Sequence, residues 1–186
     1  MKFILILTSI LFLPNISMST PIVQYEIKEK LAKNIEIRKY DRILLAKVYN
    51  DKEVSQNASF RALFNFISGE NSKNQEIQMT APVFQEISDQ KSSMAFIMPK
   101  EFDEKNLPKP NDTNVKIQLI ENQTFIAIRF SGRSSIKNFK KYQKILENYI
   151  KNNNLAIEKL DPIYAYYNAP WALPFFKRNE VLYQLQ

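Results

Sequence analysis

The chain has 186 residues, of which 45% are hydrophobic and 24% are charged, and its formal net charge is +7. These values predict one globular domain and exclude a disordered chain or a protein with many membrane spans. Histidine and cysteine are both absent, which excludes Cys-His and Ser-His-Asp nucleophiles, disulfides and the usual zinc sites. The two glycines, Gly69 and Gly132, are too few for a glycine-rich phosphate loop.

The N-terminal residues have the pattern of a secretory signal peptide. Lys2 precedes an apolar run at residues 3–13, Pro14 breaks the run, and serines follow at positions 17 and 19. The run is shorter than the roughly 20 residues that span a bilayer, so it favours a cleaved signal over a stable membrane anchor. We therefore expect a signal peptide at residues 1–19 and an exported domain at residues 20–186, periplasmic in a bacterium and otherwise secreted.

The first half of the domain predicts a hairpin, a helix and two further strands. Apolar and polar residues alternate at residues 35–38 and 43–49, which indicates two antiparallel strands with a turn at residues 40–42. Apolar residues recur at helical spacing between residues 55 and 68, and Gly69 stands where a helix C-cap is expected. The two further strands are predicted at residues 76–84 and 94–98.

The second half repeats this order of elements. Ser134 or Ser135 is the expected N-cap of its helix, whose apolar stripe lies opposite a row of lysines. The predicted elements are strands at residues 115–119 and 125–131, a helix at residues 135–151, and strands at residues 163–167 and 179–185. We therefore expect an α+β fold: a distorted eight-stranded, mainly antiparallel β-barrel with two flanking helices, built from two pseudo-symmetric ββαββ halves.

The C-terminal segment contains the only tryptophan of the chain, Trp171, among several other aromatic residues. Pro170 and Pro174 fix the backbone and withhold hydrogen-bond donors, so a stiff loop between two strands is predicted. Each aromatic ring brings roughly 150–250 Å² of surface. We expect these rings to pack against a surface that the rest of the domain supplies.

Two groups of residues allow either a chemical or a structural role. Arg178, Asn179 and Glu180 could form an anion site or an acid/base pair, but a structural network, with Arg178 paired to Glu180 and Asn179 bonded to the backbone, is favoured. Met79 could line a pocket or supply a sulfur ligand, but a core position is favoured. Nucleic-acid binding is not indicated, because the sequence has no dense basic stripe with interleaved aromatic residues. The residues thus predict a binder of a hydrophobic ligand rather than an enzyme.

Several sequence blocks together resemble one known family. They occur in the family's order over nearly the whole domain, from about Tyr25 onward, and the series is specific although each block alone is weak. The blocks are residues 35–40 with Ala46, 60–63, 66–71, 77–83, 94–99, 108–110, 129–132, 165–171 and 174–181. On these residues the chain resembles the SOUL heme-binding protein family.

The resemblance implies the same distorted barrel and the capacity to bind heme or a related tetrapyrrole in an open hydrophobic groove between the first helix and the last strands. Mapped onto this chain, the implied binding residues are Phe60, Arg61, Phe64, Ile67, Tyr164, Tyr166, Trp171 and Arg178. Because the chain has no histidine, heme would be held by apolar packing and by basic residues that pair with the propionates. The axial ligand would then be Met, Tyr, Lys or no side chain.

The function expected from the resemblance is that of an exported, monomeric, non-enzymatic scavenger, carrier or buffer of tetrapyrroles, without a nucleic-acid partner. The alternative is a binding module that uses the same groove for another amphipathic small molecule or a peptide. An enzyme acting on a tetrapyrrole through Tyr166 and Glu180 is ranked last.

Overall fold

The fold is that of a computed structural model, which describes residues 20–51, 56–87 and 91–186. The predicted signal peptide, residues 1–19, lies outside the described residues. Within them the chain forms seven strands, two α-helices and one short 3-10 turn. These elements are β1 (Glu26–Ala32), β2 (Ile35–Asp51), α1 (Gln56–Ile67), β3 (Val83–Ile87), β4 (Lys91–Ile97), β5 (Val115–Phe130), α2 (Ile136–Asn152), β6 (Ile163–Tyr166), the 3-10 turn (Pro174–Phe176) and β7 (Asn179–Gln184).

Six of these strands close into an antiparallel barrel in the order β2-β4-β3-β6-β7-β5, and β5 pairs back to β2. The remaining strand, β1, pairs with β2 on the outside of this ring. Helix α1 packs on β2, β4 and β5, and α2 packs on β5 and β7. The predicted α+β barrel with two flanking helices is confirmed, with seven strands in place of eight.

Each half of the barrel begins with one long strand instead of the predicted pair of short ones. The turn predicted at residues 40–42 is wrong, because β2 runs through it and pairs with β5 from Ile35 opposite Ile128 to Val48 opposite Val115. The strands predicted at residues 115–119 and 125–131 are likewise parts of the single strand β5. Each half is therefore a long strand, a helix and two short strands, and the β2 hairpin is made with β1, which the sequence pattern did not reveal.

A change of phase along each long strand explains this error. In β2, Ile35 packs under α2, whereas Leu44 and Val48 pack under α1. Odd-numbered residues face a helix at one end of the strand and even-numbered residues do so at the other. In β5 the same change occurs near Asn122, whose φ is +52°. Alternation that breaks phase is typical of a turn, but here the strand passes from one half of the barrel to the other.

The remaining predicted elements lie close to their expected positions, with one exception. Ser135 caps α2 by accepting a hydrogen bond from the backbone of Asn138, and Gly69 follows α1 with φ +108°. The strand predicted from residue 76 begins only at Val83, because Pro82 has no N–H for a ladder and residues 76 and 81 form only isolated bridges. None of the helices in the described part of the chain combines the length and apolar content that crossing a bilayer requires.

The loop between β6 and β7 differs from its prediction in one important respect. It is a loop with a 3-10 turn between two strands, as expected. Its rings, however, do not pack on the domain: Trp171, Phe175 and Phe176 are 86%, 65% and 73% exposed. Tyr167 and Tyr183 are buried, because they lie next to or within strands whose faces are covered. The expected packing is therefore wrong for the loop rings.

Candidate functional site

Helix α1 has an aromatic outer side. Phe60 and Phe64 are one helical turn apart, and their rings lie nearly parallel, at 13°, with centroids 6.0 Å apart. They are 40% and 47% exposed, whereas Leu63 is fully buried beneath the helix. Phe60 also contacts the ring of Phe96 on β4 edge to face, at 5.3 Å. The helix thus presents two stacked rings to solvent while its other side closes the core.

From these rings a row of side chains crosses the sheet toward α2; it begins at Phe96, which is only 2% exposed, and continues through two half-buried residues. Phe96 on β4 is paired with Val83 on β3, and Val83 is paired with Tyr166 on β6. Directly paired residues point to the same side of a sheet, so these side chains form a row between the helices. The Tyr166 hydroxyl donates a hydrogen bond to Gln85 Oε1 at 2.9 Å. We call the set Phe60, Phe64, Phe96, Val83 and Tyr166 the aromatic strip.

The strip includes three of the eight residues implied by the resemblance, and two others lie beneath the helices. Phe60, Phe64 and Tyr166 belong to the strip. Ile67 is only 5% exposed and packs in the core under α1. Tyr164 is 3% exposed, stacks on Phe139 of α2 at 4.6 Å and donates a hydrogen bond to Gln143. These two residues support the surface from below.

The other three implied residues lie in different places. Arg61 is exposed on α1 beside the strip. Trp171 is in the β6–β7 loop and is 86% exposed. Arg178 is already bound: its Nε donates to Glu180 Oε1 at 2.8 Å and its Nη2 donates to the Tyr25 hydroxyl at 2.8 Å. The structure therefore does not gather the eight residues into one pocket.

The Arg178–Glu180 pair is part of a buried charged network, as predicted. Asn179 donates a side-chain hydrogen bond to the backbone oxygen of Gly132, which is the expected backbone contact. The Arg178 guanidinium lies over the ring of Tyr167, 3.8 Å from its centroid. The favoured interpretation, a structural network rather than a free anion site, is confirmed for these three residues.

Arg38 is the member of this network that sequence reasoning missed. It is fully buried, and its Nη2 donates to Glu180 Oε2 at 2.5 Å. Its guanidinium lies 4.2 Å from the centroid of the Tyr25 ring. The alternation at residues 35–38 predicted a strand there and gave Arg38 no further role. The available signal was that Arg38 shares a strand face with Tyr40, which is itself buried.

The network holds its carboxylate in the ionised form. Burial alone would raise the pKa of Glu180, but the charges of Arg38 and Arg178 outweigh it and keep this pKa below its ordinary value. The Tyr167 hydroxyl donates to the same carboxylate at 2.9 Å, and burial raises the pKa of Tyr167 far above its ordinary value. A group tuned to exchange protons near neutral pH has a pKa near that pH, and neither group has this property.

A cavity of about 330 Å³ lies beside the network, at the end of the barrel next to β1. It is lined by Arg178 and Glu180 together with Lys30, Lys33 and Arg129. A second cavity, of about 530 Å³, lies between the N-terminal segment and the residues after β4. Neither cavity is lined by residues of the aromatic strip.

The donor set available to a metal is limited. No group of three or more acidic residues that could hold a metal ion is present among the described residues, and the full sequence has neither histidine nor cysteine. The thioether of Met79 packs against the core under α1, where Val83 of the strip also packs. Met94 and Met98 belong to this same core cluster, together with Phe96 of the strip, so three thioethers share contacts with it.

Structures of similar fold come from several proteins. The C-terminal domain of EcmrR matches with a TM-score of 0.58 and 14% identity, over 88% of this chain and 99% of that chain. A hydrolase from Listeria innocua matches with a TM-score of 0.56 and 9% identity, over 82% and 92% of the two chains. A protein bound to tetraphenylphosphonium matches with a TM-score of 0.51 and 9% identity, over 88% and 94%. At these identities the likeness shows the fold alone.

A search of curated proteins found no match to this chain. The family model for SOUL heme-binding proteins, however, matches residues 20–184, which is nearly the whole of the described chain. The blocks that carry the resemblance are spread over this same range. The chain therefore belongs to the SOUL heme-binding protein family.

Proposed function

We propose that this protein is an exported, non-enzymatic binder of heme or a related tetrapyrrole, acting as a scavenger, carrier or buffer, and that the aromatic strip holds the ring. Membership in a family of heme-binding proteins supports the ligand class. The observation that carries the location is the exposed stack of Phe60 and Phe64 beside Phe96. We infer export from the signal-peptide pattern of residues 1–19. Export would be supported if the protein recovered outside the cytoplasm had Thr20 as its first residue.

The residues of the strip fit the ring of a tetrapyrrole. Flat aromatic side chains pack favourably on a flat aromatic ligand, at roughly 0.5–1.5 kcal/mol per pair beyond the burial of area. Arg61 is exposed on the same helix and is free to pair with a propionate, although an exposed ion pair contributes only about 0.2–1 kcal/mol. Apolar packing should therefore dominate the affinity.

Iron ligation would have to be unconventional. Heme supplies a metal centre that takes axial ligands, and the common ones, histidine and cysteine, are missing from the sequence. Met79, Met94 and Met98 are the sulfur donors that share the core cluster of Phe96. Recognition of the ring and its propionates does not depend on such a bond.

A titration of residues 20–186 with hemin tests the proposal, with the Soret band and the fluorescence of Trp171 as readouts. We expect a saturable one-to-one response with micromolar or tighter affinity. The Soret position reports whether a methionine, a tyrosine or no side chain ligates the iron. A response that does not saturate, and that equals the response of an unrelated basic protein, would contradict tetrapyrrole binding.

The second candidate is a module that binds another amphipathic molecule or a peptide on the same strip. It is favoured because the strip offers exposed aromatic rings, whereas the sequence has none of the common ligands for heme iron, histidine and cysteine. A titration with metal-free protoporphyrin IX separates the two. Equal affinity for the metal-free ring and for hemin would show that iron plays no part, and a failure of both would leave the second candidate.

A further inference from the structure

The loop between β6 and β7 exposes four large apolar side chains within six residues. Trp171, Leu173, Phe175 and Phe176 are 86%, 56%, 65% and 73% exposed. Single exposed apolar residues are ordinary on a soluble protein, but a contiguous group marks an interaction surface. We call these four residues the apolar loop.

The backbone holds the apolar loop in this exposed form. The N–H groups of Ala172 and Phe176 donate to the backbone oxygens of Ala169 and Leu173, at 3.1 and 3.0 Å. The Lys177 side chain is only 8% exposed, because its Nζ points inward and donates a hydrogen bond to the backbone oxygen of Pro170 at 2.7 Å. With prolines at positions 170 and 174, the segment has little freedom to fold its rings back onto the barrel. Their exposure is thus a property of the fold.

The apolar loop lies next to the start of α2. The backbone N–H of Gly132 donates to the backbone oxygen of Pro174 at 2.9 Å, which joins the segment before α2 to the 3-10 turn. Ile136, the first residue of α2, adds another side chain that is 41% exposed. The segment before α2 and the start of that helix therefore border the apolar loop.

The chain on both sides of this contact lacks acidic residues and is rich in basic ones. Residues 122–146 contain no aspartate or glutamate, and residues 162–179 contain none either. From the segment before α2 onward, the basic residues of the first range are Arg133, Lys137, Lys140, Lys141 and Lys144, and each of these side chains is exposed. Arg129 instead lines the first cavity, with Glu36 and Glu180. An apolar protrusion is thus bordered by positive charge on the side of α2.

We propose that the apolar loop is a membrane-docking element, which places its four side chains in the interfacial region of a bilayer while the basic residues of α2 contact anionic lipid headgroups. Trp and Phe are the side chains favoured at that interface, and basic residues near a membrane surface are attracted by anionic lipids. This docking is reversible and peripheral, unlike a spanning helix.

Charge and shape favour a bilayer over other partners. A second copy of this chain would bring the same basic border, and the two borders would repel each other. A folded acidic partner would need a concave pocket shaped for a protruding tryptophan that is 86% exposed. A bilayer with anionic lipid accommodates any protruding apolar group and supplies the opposite charge.

Vesicle sedimentation tests the proposal without any tetrapyrrole present, so its result is independent of the proposed function. The predicted signal peptide is apolar and would bind vesicles itself, so the test uses residues 20–186, which contain the whole closed barrel. Vesicles of phosphatidylcholine with 3 parts in 10 phosphatidylglycerol are compared with vesicles of phosphatidylcholine alone. Trp171 is the only tryptophan, and its emission should shift to the blue on binding.

We expect saturable binding to the anionic vesicles, weaker binding to the neutral ones, and loss of at least tenfold in the F175S/F176S double variant. A matched pair sharpens the test: Leu173→Ser should weaken binding, whereas Leu160→Ser should not, because Leu160 is 84% exposed but lies outside the apolar loop. Undiminished binding by F175S/F176S, or no binding by the wild type, would overturn the proposal. Self-association that the loop variants abolish, without vesicle binding, would assign the loop to a second copy instead.

Discussion

Glu180 lies inside the barrel between two arginines, with Arg38 on one carboxylate oxygen and Arg178 on the other. It is 2% exposed, so water cannot solvate its charge if either arginine is removed. Breaking a buried ion pair by removing one partner costs about 3–5 kcal/mol, because the remaining charge is left uncompensated. The stability of the barrel should therefore depend on this single carboxylate.

The first prediction concerns Glu180→Gln. We expect it to lower the free energy of unfolding at pH 7 by about 3–5 kcal/mol, measured by urea denaturation. Glu29→Gln, on the exposed strand β1, is the control and should change it by less than about 0.5 kcal/mol. Equal stability of Glu180→Gln and wild type would contradict the role given to the network.

The same residue predicts a pH dependence. The folded-state pKa of Glu180 is below its unfolded value, so its contribution to stability is fully present above about pH 4.5 and is lost as the pH falls through the folded pKa. Between pH 7 and pH 3 the wild type should lose more stability than Glu180→Gln. Parallel pH profiles of the two proteins would show that Glu180 does not titrate as proposed.

At this scale the sequence predicts local pairs better than distant ones. Arg178 and Glu180 are two residues apart where β7 begins, so their pairing was predictable. The contact of Arg38 with Glu180 joins positions 142 residues apart, and nothing in the local pattern around Arg38 indicates such a partner. The exposure of Trp171 was also mispredicted, because the apolar character of a ring does not reveal whether a surface exists to cover it.

Among the elements, the helices and the short C-terminal strands were predictable because their signals are local. An apolar stripe, a serine N-cap and a C-terminal glycine determine α1 and α2 within a few residues. The long strands β2 and β5 were not predictable, because their side-chain pattern changes phase where they pass between the halves of the barrel. Strand β1 was not predictable either. Six of its seven residues are exposed, so neither face needs a row of apolar residues and its sequence does not alternate.

The C-terminal end of α1 supplies the prediction at this scale. Gly69 has φ +108°, a conformation that side chains with a Cβ rarely adopt, so Gly69→Ala should cost about 1–2 kcal/mol of unfolding free energy. Ser68→Ala, at the exposed neighbouring position, is the control and should cost less than about 0.5 kcal/mol. Thermal denaturation measures both, and equal effects would show that the backbone conformation of Gly69 is not the cause.

In the whole molecule, the two pseudo-equivalent halves present different surfaces. Beneath α2 the space is filled: Phe139 is fully buried and stacks against Tyr164. On α1, Phe66 is also buried, but two further rings, Phe60 and Phe64, are exposed. Both helices thus close onto the sheet, but α1 also carries exposed rings on its outer side, and this is where we place the tetrapyrrole.

The two proposed surfaces are built from separate elements. The aromatic strip lies on α1, β3, β4 and β6, whereas the apolar loop joins β6 to β7. This separation allows the tetrapyrrole and the bilayer to be tested with different variants. It also supplies the control for the central claim, because the apolar loop carries two phenylalanines that lie outside the strip.

The most direct test of the central claim is the hemin affinity of the F60A/F64A variant compared with that of F175A/F176A, both made in residues 20–186. Each variant loses two exposed phenylalanine rings, and circular dichroism checks that both remain folded. We predict that F60A/F64A weakens hemin binding at least tenfold, about 1.4 kcal/mol, while F175A/F176A leaves it unchanged. Equal affinities in the two variants, or a loss only in F175A/F176A, would contradict tetrapyrrole binding on the aromatic strip.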